Sequence, residues 1–444
     1  MEQAQRYVAV VGAGPAGLYA ARKLAAAGVK VALLNRDIKP GGLAEYGIYH
    51  DKHRMKNGLR RQFRKILQEA NIAYFGNVTI GENGNLTLDD LRRMGFDAIL
   101  VTVGAQGTKW LGLEGENLKG VYHAKDIVYH YNQLPPYSRM EFFIGRRAAL
   151  IGVGNVMVDI AHWLTHDRKI DAVTAVARRG PAEVKFDKAE FAHIAAYLDL
   201  EAFEAEMERV RPRMEAVGQD VEAARRFILS ALEKADPPVS ETRFSFAFLS
   251  SPKRILGDEA GRVRALEVED TALELKENGE TKAVRLGTTR TLEVDTVIFC
   301  IGDRVDERFG LPVAWNEFVK NPEPRFPVDG ISYEAYDPQR EAPIEGVFVA
   351  GWARKASYGL VGMARQDGER GARAVLEYLK TRPPSSGDPL AALESRLQEA
   401  SQPVISKADW LRLTEIEEAE AKKRGLPTFK FGTNEEMLAA LGTG

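Results

Sequence analysis

The N-terminal region has the strand, turn, helix and strand pattern of a nucleotide-binding βαβ unit. In residues 7–35, YVAVVGAGPAGLYAARKLAAAGVKVALLN, two short apolar runs flank a glycine-rich turn and an alanine-rich helix. Gly12 permits the tight turn, Gly14 lets the backbone approach a pyrophosphate, and Gly17 lets the helix pack on the strand. The helix N-terminus offers unpaired N–H groups and a positive dipole end to phosphates. We therefore expect a dinucleotide to contact Gly12, Ala13, Gly14, Pro15 and Ala16.

Asn35 ends this unit at the position where an acidic residue normally accepts hydrogen bonds from both ribose hydroxyls. An amide can accept one of these bonds and donate another. The sequence therefore predicts a ribose contact at Asn35 that is weaker than the usual one.

A second strand, glycine turn and helix occupy residues 146–164, RRAALIGVGNVMVDIAHWL. Gly152, Gly154, Asn155 and Val156 form the predicted nucleotide-binding turn. Met157 takes the place of the third small residue, and its bulk is expected to shift the helix outward unless the strand compensates.

Two adjacent arginines close the strand that follows the second turn. Arg178 and Arg179 lie about 25 residues after that turn, where NAD-binding proteins place an acid and NADP-binding proteins place arginine for the 2′-phosphate. Guanidinium groups form bidentate, charge-assisted bonds with phosphate. The pair therefore predicts that NADP is bound in preference to NAD.

Composition restricts the possible partners and chemistry. The chain has 61 Lys and Arg residues against 63 Asp and Glu, so an acidic partner must meet a local basic patch. The single cysteine, Cys300, excludes an internal disulfide, a CxxC redox pair and any iron–sulfur or zinc site built from cysteines. The first apolar run begins at Tyr7, which leaves no room for a signal peptide, and no apolar run approaches the roughly 20 residues that span a bilayer. These features predict a soluble, cytoplasmic protein without a metal site.

The segment after the first βαβ unit, KPGGLAEYGIYHDKHRMKNGLRRQF (residues 39–63), resembles the adrenodoxin reductase-like ferredoxin-NADP reductases of bacterial type. These flavoproteins hold FAD in their first βαβ unit. The order of Pro40, Gly42, Leu43, Gly47 and Asp51 is similar to that of the family loop that runs past the flavin. Residues 75–81, FGNVTIG, which include Val78, resemble the next strand of the family.

The resemblance continues through most of the chain. RRGPAEVKFDKAE is similar to the family's Arg-Arg-Gly-Pro motif with its downstream acid, which is Glu190. In residues 346–379 the resemblance implies that a helix N-terminus and Trp352 face the flavin, together with Gly359, Leu360 and Val361. The loop at 355–359 departs from the family pattern, and Tyr358 in it could stack on the ring and regulate nicotinamide access.

The implied fold is α/β, with two Rossmann-like dinucleotide-binding domains of the glutathione reductase-like flavoprotein type and a C-terminal helical extension. The expected domains are a discontinuous FAD domain (1–104 and 325–380), an NADP domain (105–324) with a charged helical insertion (188–236), and a linker and extension (381–444).

The implied activity is that of a ferredoxin-NADP reductase-like enzyme, in which hydride passes from NADPH to FAD and electrons pass to an acidic ferredoxin-like iron–sulfur carrier. No catalytic side chain is required. The helices of 188–236 are either solvated surfaces or a docking site to which Arg225 and Arg226 contribute, and a second basic helix face carries Arg60, Arg61, Arg64 and Lys65.

Two alternatives stay open at this point. The first is an NADPH-dependent flavoprotein that reduces a quinone, a free flavin or another small acceptor. The second is a flavin-containing redox sensor or subunit that does not turn over.

Overall fold

The computed structural model describes residues 5–357, 359–400 and 402–443. Tyr358 therefore lies outside the described residues, and so does its predicted stacking on the flavin ring.

The strands are short, apart from two long strands late in the chain. They are β1 (Tyr7–Val11), β2 (Lys30–Leu34), β3 (Ile72–Phe75), β4 (Ala98–Val101), β5 (Gly107–Thr108), β6 (Val121–His123), β7 (Arg147–Ile151), β8 (Ala172–Val176), β9 (Arg243–Ala247), β10 (Ser250–Gly257), β11 (Val263–Leu275), β12 (Thr281–Leu292), β13 (Thr296–Phe299), β14 (Asp303–Arg304), β15 (Val313–Ala314), β16 (Glu317–Phe318), β17 (Glu334–Asp337) and β18 (Ala342–Val349).

The helices vary from one turn to about five turns. They are α1 (Pro15–Ala25), α2 (Leu43–Tyr46), α3 (His53–Leu67), α4 (Leu88–Arg93), α5 (Ala124–Tyr131), α6 (Asn155–His162), α7 (Lys188–Ala195), α8 (Leu200–Glu215), α9 (Val221–Leu229), α10 (Val361–Lys380), α11 (Pro389–Gln398), α12 (Lys407–Arg424) and α13 (Asn434–Leu441).

The chain divides into two compact units. Unit 1 comprises Met1–Gly107, Tyr129–Arg139 and Asp303–Gly444, and unit 2 comprises Thr108–Val128 and Met140–Gly302. The chain first passes from unit 1 to unit 2 after Gly107, close to the expected boundary at residue 104. The chain returns to unit 1 about 20 residues before the expected position, because buried side chains from 305–318 pack in the core of unit 1.

Unit 1 is built on a six-stranded sheet in the order β17-β18-β4-β1-β2-β3. All of its neighbouring strands are parallel except β17 and β18, which are antiparallel. Alternate residues of β1 enter opposite cores: Val8 and Val10 face one core, and Ala9 and Val11 face the other. A strand that is apolar at every position is what a sheet covered on both faces requires.

The segment 75–81 is not the strand that the resemblance predicted. β3 ends at Phe75, and beyond it the backbone forms only isolated bridges, from Gly76 to Ile405 and from Ile80 to Leu86. The strand lies earlier because Ile72, Tyr74 and Phe75 supply the buried side chains that pair with β2.

Unit 2 has a five-stranded parallel sheet in the order β6-β13-β7-β8-β9 and a three-stranded antiparallel sheet in the order β10-β11-β12. The charged insertion forms α7, α8 and α9, so its predicted helical character is confirmed. Each unit therefore has a sheet of mainly parallel strands, in which one strand leads through a glycine turn into a helix.

The C-terminal region is part of the core of unit 1. Trp410 and Leu413 of α12 and Met437 and Leu441 of α13 are buried in the same cluster as the side chains of α1. Among the described residues, no helix is both long enough and apolar enough to cross a membrane. The described residues also contain no group of three or more His, Cys, Asp or Glu side chains placed to hold a metal ion.

Candidate dinucleotide sites

The first glycine turn lies at the carboxyl end of β1 and leads directly into α1. Gly12 has a φ of +107°, and an added Cβ would lie 2.6 Å from the carbonyl oxygen of Thr102. An added Cβ on Gly17 would lie 1.8 Å from the oxygen of Gly12, so the predicted need for a small residue at this helix contact is confirmed. Gly14 is different, because an added Cβ there would meet no atom within 4 Å. The open side of the turn is therefore at Gly14, where a pyrophosphate is predicted.

The N-terminus of α1 has no competing cap or charge. Gly14 is the N-cap residue, no side chain caps the helix, and the first turn has no acidic residue. Its free N–H groups and dipole therefore favour an anion.

Asn35 has a structural use that the sequence did not indicate. The side chain is 7% exposed; its Oδ1 accepts a hydrogen bond from the backbone N–H of Ala13 (3.0 Å), and its Nδ2 donates to the carbonyls of Asp37 (2.8 Å) and Lys39 (3.0 Å). An acid could not make the two donor contacts. The amide therefore fixes the turn to the following segment, and the ribose contact stays a prediction.

The 39–52 segment, which resembles the family's flavin loop, is anchored on the first turn. The N–H of Gly41 donates to the carbonyl of Ala13 (2.8 Å), and an added Cβ on Gly42 would lie 3.0 Å from the Cα of Gly14. Leu43 begins α2 directly after this contact. Val78, which is buried, donates its N–H to the carbonyl of Asn35 (2.9 Å). Asn35, the 39–52 segment and Val78 come from three separate parts of the sequence, and all of them thus lie around the first glycine turn.

The N-terminus of α10 is a further open helix end in unit 1, beside those of α1 and α3. Leu360 is its N-cap and is 61% exposed, no side chain caps the helix, and the first turn has no acidic residue. The preceding turn is held to α10 by Asp367, which accepts hydrogen bonds from the backbone N–H of Gly351 (2.6 Å) and from the guanidinium of Arg354 (2.7 Å). Trp352 lies in this turn, and Gly359 and Val361 flank Leu360.

The α10 region also approaches the first turn. An added Cβ on Gly351 would lie 2.7 Å from the Cβ of Ala16, and one on Gly368 would lie 2.1 Å from the oxygen of Ala16. The structure therefore brings the segment that carries Trp352 next to the start of α1, while the predicted contact of Trp352 with the flavin stays a prediction.

A buried network of charges, which the sequence did not reveal, ties the 39–52 segment to the C-terminal region. Glu45 is 4% exposed and binds Arg60 of α3 (2.6 Å) and Lys430 (2.7 Å). Burial would raise the pKa of Glu45, but Lys430 and Arg60 hold it well below its usual value. Lys39 forms a second buried pair with Glu417. The pairs Glu45–Lys430 and Lys39–Glu417 join residues 385 and 378 positions apart, so no local pattern could have predicted them.

Lys56, on the inner side of α3, donates to the side chain of Asn132 and is 3% exposed. Burial lowers its pKa to about 7. Burial likewise lowers the pKa of Lys430 to about 8.

The second glycine turn lies in unit 2 at the carboxyl end of β7. An added Cβ on Gly152 would lie 2.5 Å from the carbonyl oxygen of Cys300, whereas one on Gly154 would meet nothing within 4 Å. Gly154 is the N-cap of α6, which has no side-chain cap and no acid in its first turn. Met157 is fully buried, so this side chain is accommodated in the core. Asn155 and Val156 follow Gly154 on the open side, and Val156 is 38% exposed.

The segment after the arginine pair returns to this turn. The backbone N–H of Lys185 donates to the carbonyl of Val153 (2.8 Å), and Asp187 and Asn155 exchange two hydrogen bonds (2.7 and 2.8 Å). Glu190 follows in the first turn of α7. The turn, the arginine pair and Glu190 therefore belong to one region of unit 2.

The two arginines follow β8 after Ala177 and differ in their surroundings. Arg178 is exposed, and its guanidinium forms no ion pair with any residue that the structure describes. Arg179 is partly buried; its Nε has no hydrogen-bond partner among the described residues, and its nearest contact with Glu183 is 3.8 Å. Glu183 is bound by the hydroxyl of Thr281. The region thus has cationic hydrogen-bond donors that an incoming anion can use.

Cys300 is buried at the end of β13, and burial raises the pKa of its thiol. A buried, protonated thiol is a poor nucleophile. Cys300 is therefore not suited to act as a nucleophile at these sites.

The arginines of the charged insertion are mostly paired within it. Arg225 binds Glu204 on α8 (2.5 Å), and Arg211 binds Glu208 (2.8 Å) and Glu222 (2.9 Å). Arg226 is exposed and has no ion pair within the described chain. The proposed docking role of Arg225 and Arg226 stays a prediction.

Comparison with known proteins extends the likeness over both units. Residues 6–201 match the family model described as pyridine nucleotide-disulphide oxidoreductase. The chain is 26% identical over 464 residues to NADPH-ferredoxin reductase FprA of Mycobacterium leprae, with 97% of each chain covered. It is 26% identical over 475 residues to mitochondrial NADPH:adrenodoxin oxidoreductase of Arabidopsis thaliana, with 98% of this chain and 95% of the relative covered. The chain is a homologue of these reductases.

The structural likeness is equally extensive. A mutant of FprA from Mycobacterium tuberculosis matches with a TM-score of 0.81 at 25% identity, over 98% of this chain and 99% of the other. A structure of the same FprA that revealed a covalent modification of NADP+ also matches with a TM-score of 0.81 at 25% identity, over 99% and 100% of the two chains. The predicted resemblance and the predicted fold class are both confirmed.

Proposed function

We propose that this protein is an FAD-dependent oxidoreductase that takes hydride from NADPH and delivers electrons to a ferredoxin-like iron–sulfur protein. Its relatives bear the names NADPH-ferredoxin reductase and NADPH:adrenodoxin oxidoreductase. The observation that carries the proposal is the pair Arg178 and Arg179, which lies beside an uncapped glycine turn and offers guanidinium groups for a 2′-phosphate.

Unit 1 is the proposed FAD domain. The open turn at Gly14 and the helix dipole of α1 would bind the pyrophosphate, with Asn35 at the ribose. Trp352 and the N-terminus of α10 at Leu360 would face the isoalloxazine ring. Bound FAD supplies the conversion between a two-electron hydride donor and a one-electron acceptor.

Unit 2 is the proposed NADP domain. Gly152 and Gly154 would hold the pyrophosphate at the N-terminus of α6, while Arg178 and Arg179 bind the 2′-phosphate. These residues orient the nucleotide and stabilise its charges; none of them is required as a nucleophile or a general base.

A cytoplasmic location is proposed for the same protein, because the one cysteine is buried and reduced. Fractionation of cells that express the full chain tests it, and recovery in the membrane fraction would contradict it.

Three measurements on the purified protein test the function. Heat denaturation should release FAD, whereas release of FMN would contradict the first site, which is built for a dinucleotide. NADPH should bleach the flavin band far faster than NADH does. In steady state, an iron–sulfur ferredoxin should be reduced with a higher kcat/KM than quinones or free flavin; the reverse order would favour a small acceptor, and persistent yellow colour with NADPH would favour a sensor.

A further inference from the structure

The solvent side of α3 carries basic but no acidic side chains, whereas the helices α7, α8 and α9 of unit 2 carry both. The helix, HRMKNGLRRQFRKIL, contains no acidic residue. Its inner side carries the buried Phe63, Ile66 and Leu67, so residues about half a helical turn away face solvent. The residues on that outer side include Arg54, Arg61 and Lys65, all of them exposed.

These three cations are available to a partner. Arg60 is bound to Glu45, and Arg64 lies 3.8 Å from Glu415. By contrast, Arg54, Arg61 and Lys65 form no ion pair with any of the residues that the structure describes. We call Arg54, Arg61 and Lys65 the α3 basic stripe. A stripe that no acidic side chain neutralises exerts its field on molecules in solution.

The surface between the cations permits close approach. Gly58 lies between Arg54 and Arg61 on the same side of the helix, and an added Cβ there would meet no atom within 4 Å. Met55, next to the stripe, is 56% exposed. Arginine and methionine on an accessible surface are residue types that protein interfaces favour.

The stripe is also fixed relative to the 39–52 segment. Arg60 and Lys56 on the inner half of α3 hold that segment and the C-terminal region through Glu45 and Asn132. An α-helix with its side chains is about 10–12 Å across, so a molecule on the outer side lies roughly one helix diameter from this segment. That proximity suits a carrier that must collect electrons from the flavin domain.

We propose that the α3 basic stripe is the surface on which an acidic ferredoxin-like electron carrier docks, an inference that rests on the proposed function. The whole chain has a net charge of −2, so it has no general attraction for an acidic protein, and the stripe supplies that attraction locally. Arg225, the rival candidate, is already paired with Glu204.

The test compares two double charge reversals in the FAD-loaded, full-length protein. Arg61→Glu with Lys65→Glu reverses the stripe. Arg412→Glu with Lys422→Glu is the matched control, because both residues are exposed on α12, form no ion pair within the described chain, and change the net charge by the same amount. The readout is NADPH-dependent reduction of an acidic [2Fe–2S] ferredoxin over a range of ionic strengths, with ferricyanide as the small acceptor.

At low salt the stripe variant should lose at least ten-fold in kcat/KM for ferredoxin and keep its ferricyanide rate within two-fold. The deficit should shrink as salt rises, since screening weakens steering in the wild type. Arg61→Lys should retain most of the ferredoxin activity, and the α12 control should change little.

Equal losses of kcat/KM for ferredoxin in the two double variants would overturn the proposal that the stripe is the docking surface. The proposal would also be overturned if the stripe variant kept its ferredoxin activity while Arg226→Glu lost it. Loss of binding to phosphatidylserine vesicles by the stripe variant, with normal ferredoxin reduction, would assign the stripe to a membrane instead. If the wild type reduces ferricyanide but no ferredoxin, the proposed function itself fails, and that result is distinct from a failure of the stripe alone.

Discussion

Removing the two guanidinium groups that follow β8 should change nucleotide preference without changing turnover. The variants are Arg178→Ala, Arg179→Ala and the double replacement. Arg178 is exposed, so its bond to a 2′-phosphate is expected at the weak end of charge-assisted bonds, about 1.5 kcal/mol. Arg179 is partly buried and its Nε lacks a partner within the described chain, so its contribution is expected near 2.5 kcal/mol.

These energies convert directly into Michaelis constants. About 1.5 kcal/mol corresponds to a rise of roughly ten-fold in KM for NADPH, and about 2.5 kcal/mol to roughly 70-fold. If the two terms add, the double variant should show a rise approaching about 1,000-fold. The kcat at saturating NADPH should stay within a few-fold, because these contacts bind ground state and transition state equally.

The assay is steady-state ferricyanide reduction with NADPH and with NADH. NADH has a hydroxyl at the 2′ position, so its kcat/KM should be unchanged. Arg243→Ala is the control: Arg243 begins β9 at the opposite end of the sheet from Arg178, its side chain is 76% exposed, and its contact with Asp199 is a loose 3.8 Å. A parallel loss of NADPH and NADH efficiency would show that the arginines are structural and would refute the reasoning.

Three further replacements test the surroundings of the two turns. Glu183→Gln removes a carboxylate 3.8 Å from Arg179 and should lower KM for NADPH several-fold with no effect on NADH; a higher KM would mean that Glu183 positions Arg179. Lys56→Met should remove part of the pH dependence of the unfolding free energy. The pKa of Lys56 is about 7 in the folded protein and near 10.5 in the unfolded chain. Between these values the unfolded state holds more protons than the folded state, so stability rises with pH. From pH 7 to 9 the wild type should gain about 2 kcal/mol in unfolding free energy relative to Lys56→Met, and parallel denaturation curves would contradict this. Asn35→Asp should destabilise the protein by about 2–4 kcal/mol, measured by urea denaturation, because it loses two buried donor contacts; a neutral result would contradict the structural use of the amide.

Local glycine patterns could be predicted because their causes are local. The turn at Gly12 and Gly14, the crowding at Gly17 and the open side at Gly154 follow from a strand that runs directly into a helix, and these features recur in the structure. The arginine pair was placed correctly after β8 for the same reason, since its position is counted from the second turn along one βαβ unit.

Features that depend on backbone contacts of a side chain or on distant segments could not be predicted. The sequence suggested a weakened ribose ligand at Asn35 and gave no sign of its structural contacts. Its amide donates to the backbone carbonyls of Asp37 and Lys39, and any sequence provides such carbonyls. Glu45 gave no signal at all, because its partner Lys430 is separated from it by nearly the whole chain. The return to unit 1 was placed too late because the residues that pack there between 305 and 318 lie in short strands and turns without a periodic pattern.

The two sides of α3 show how the same residue type can serve two purposes. On the inner side Arg60 is paired with the buried carboxylate of Glu45, and such a pair is costly to break from either partner. On the outer side Arg61 follows immediately in the sequence, keeps its solvation and leaves its charge available. A count of basic residues cannot separate these cases, whereas burial and pairing can. The inner pair holds α3 against the 39–52 segment, so a carrier that docked on the proposed stripe would meet a helix fixed to unit 1 and not a mobile cluster of charges.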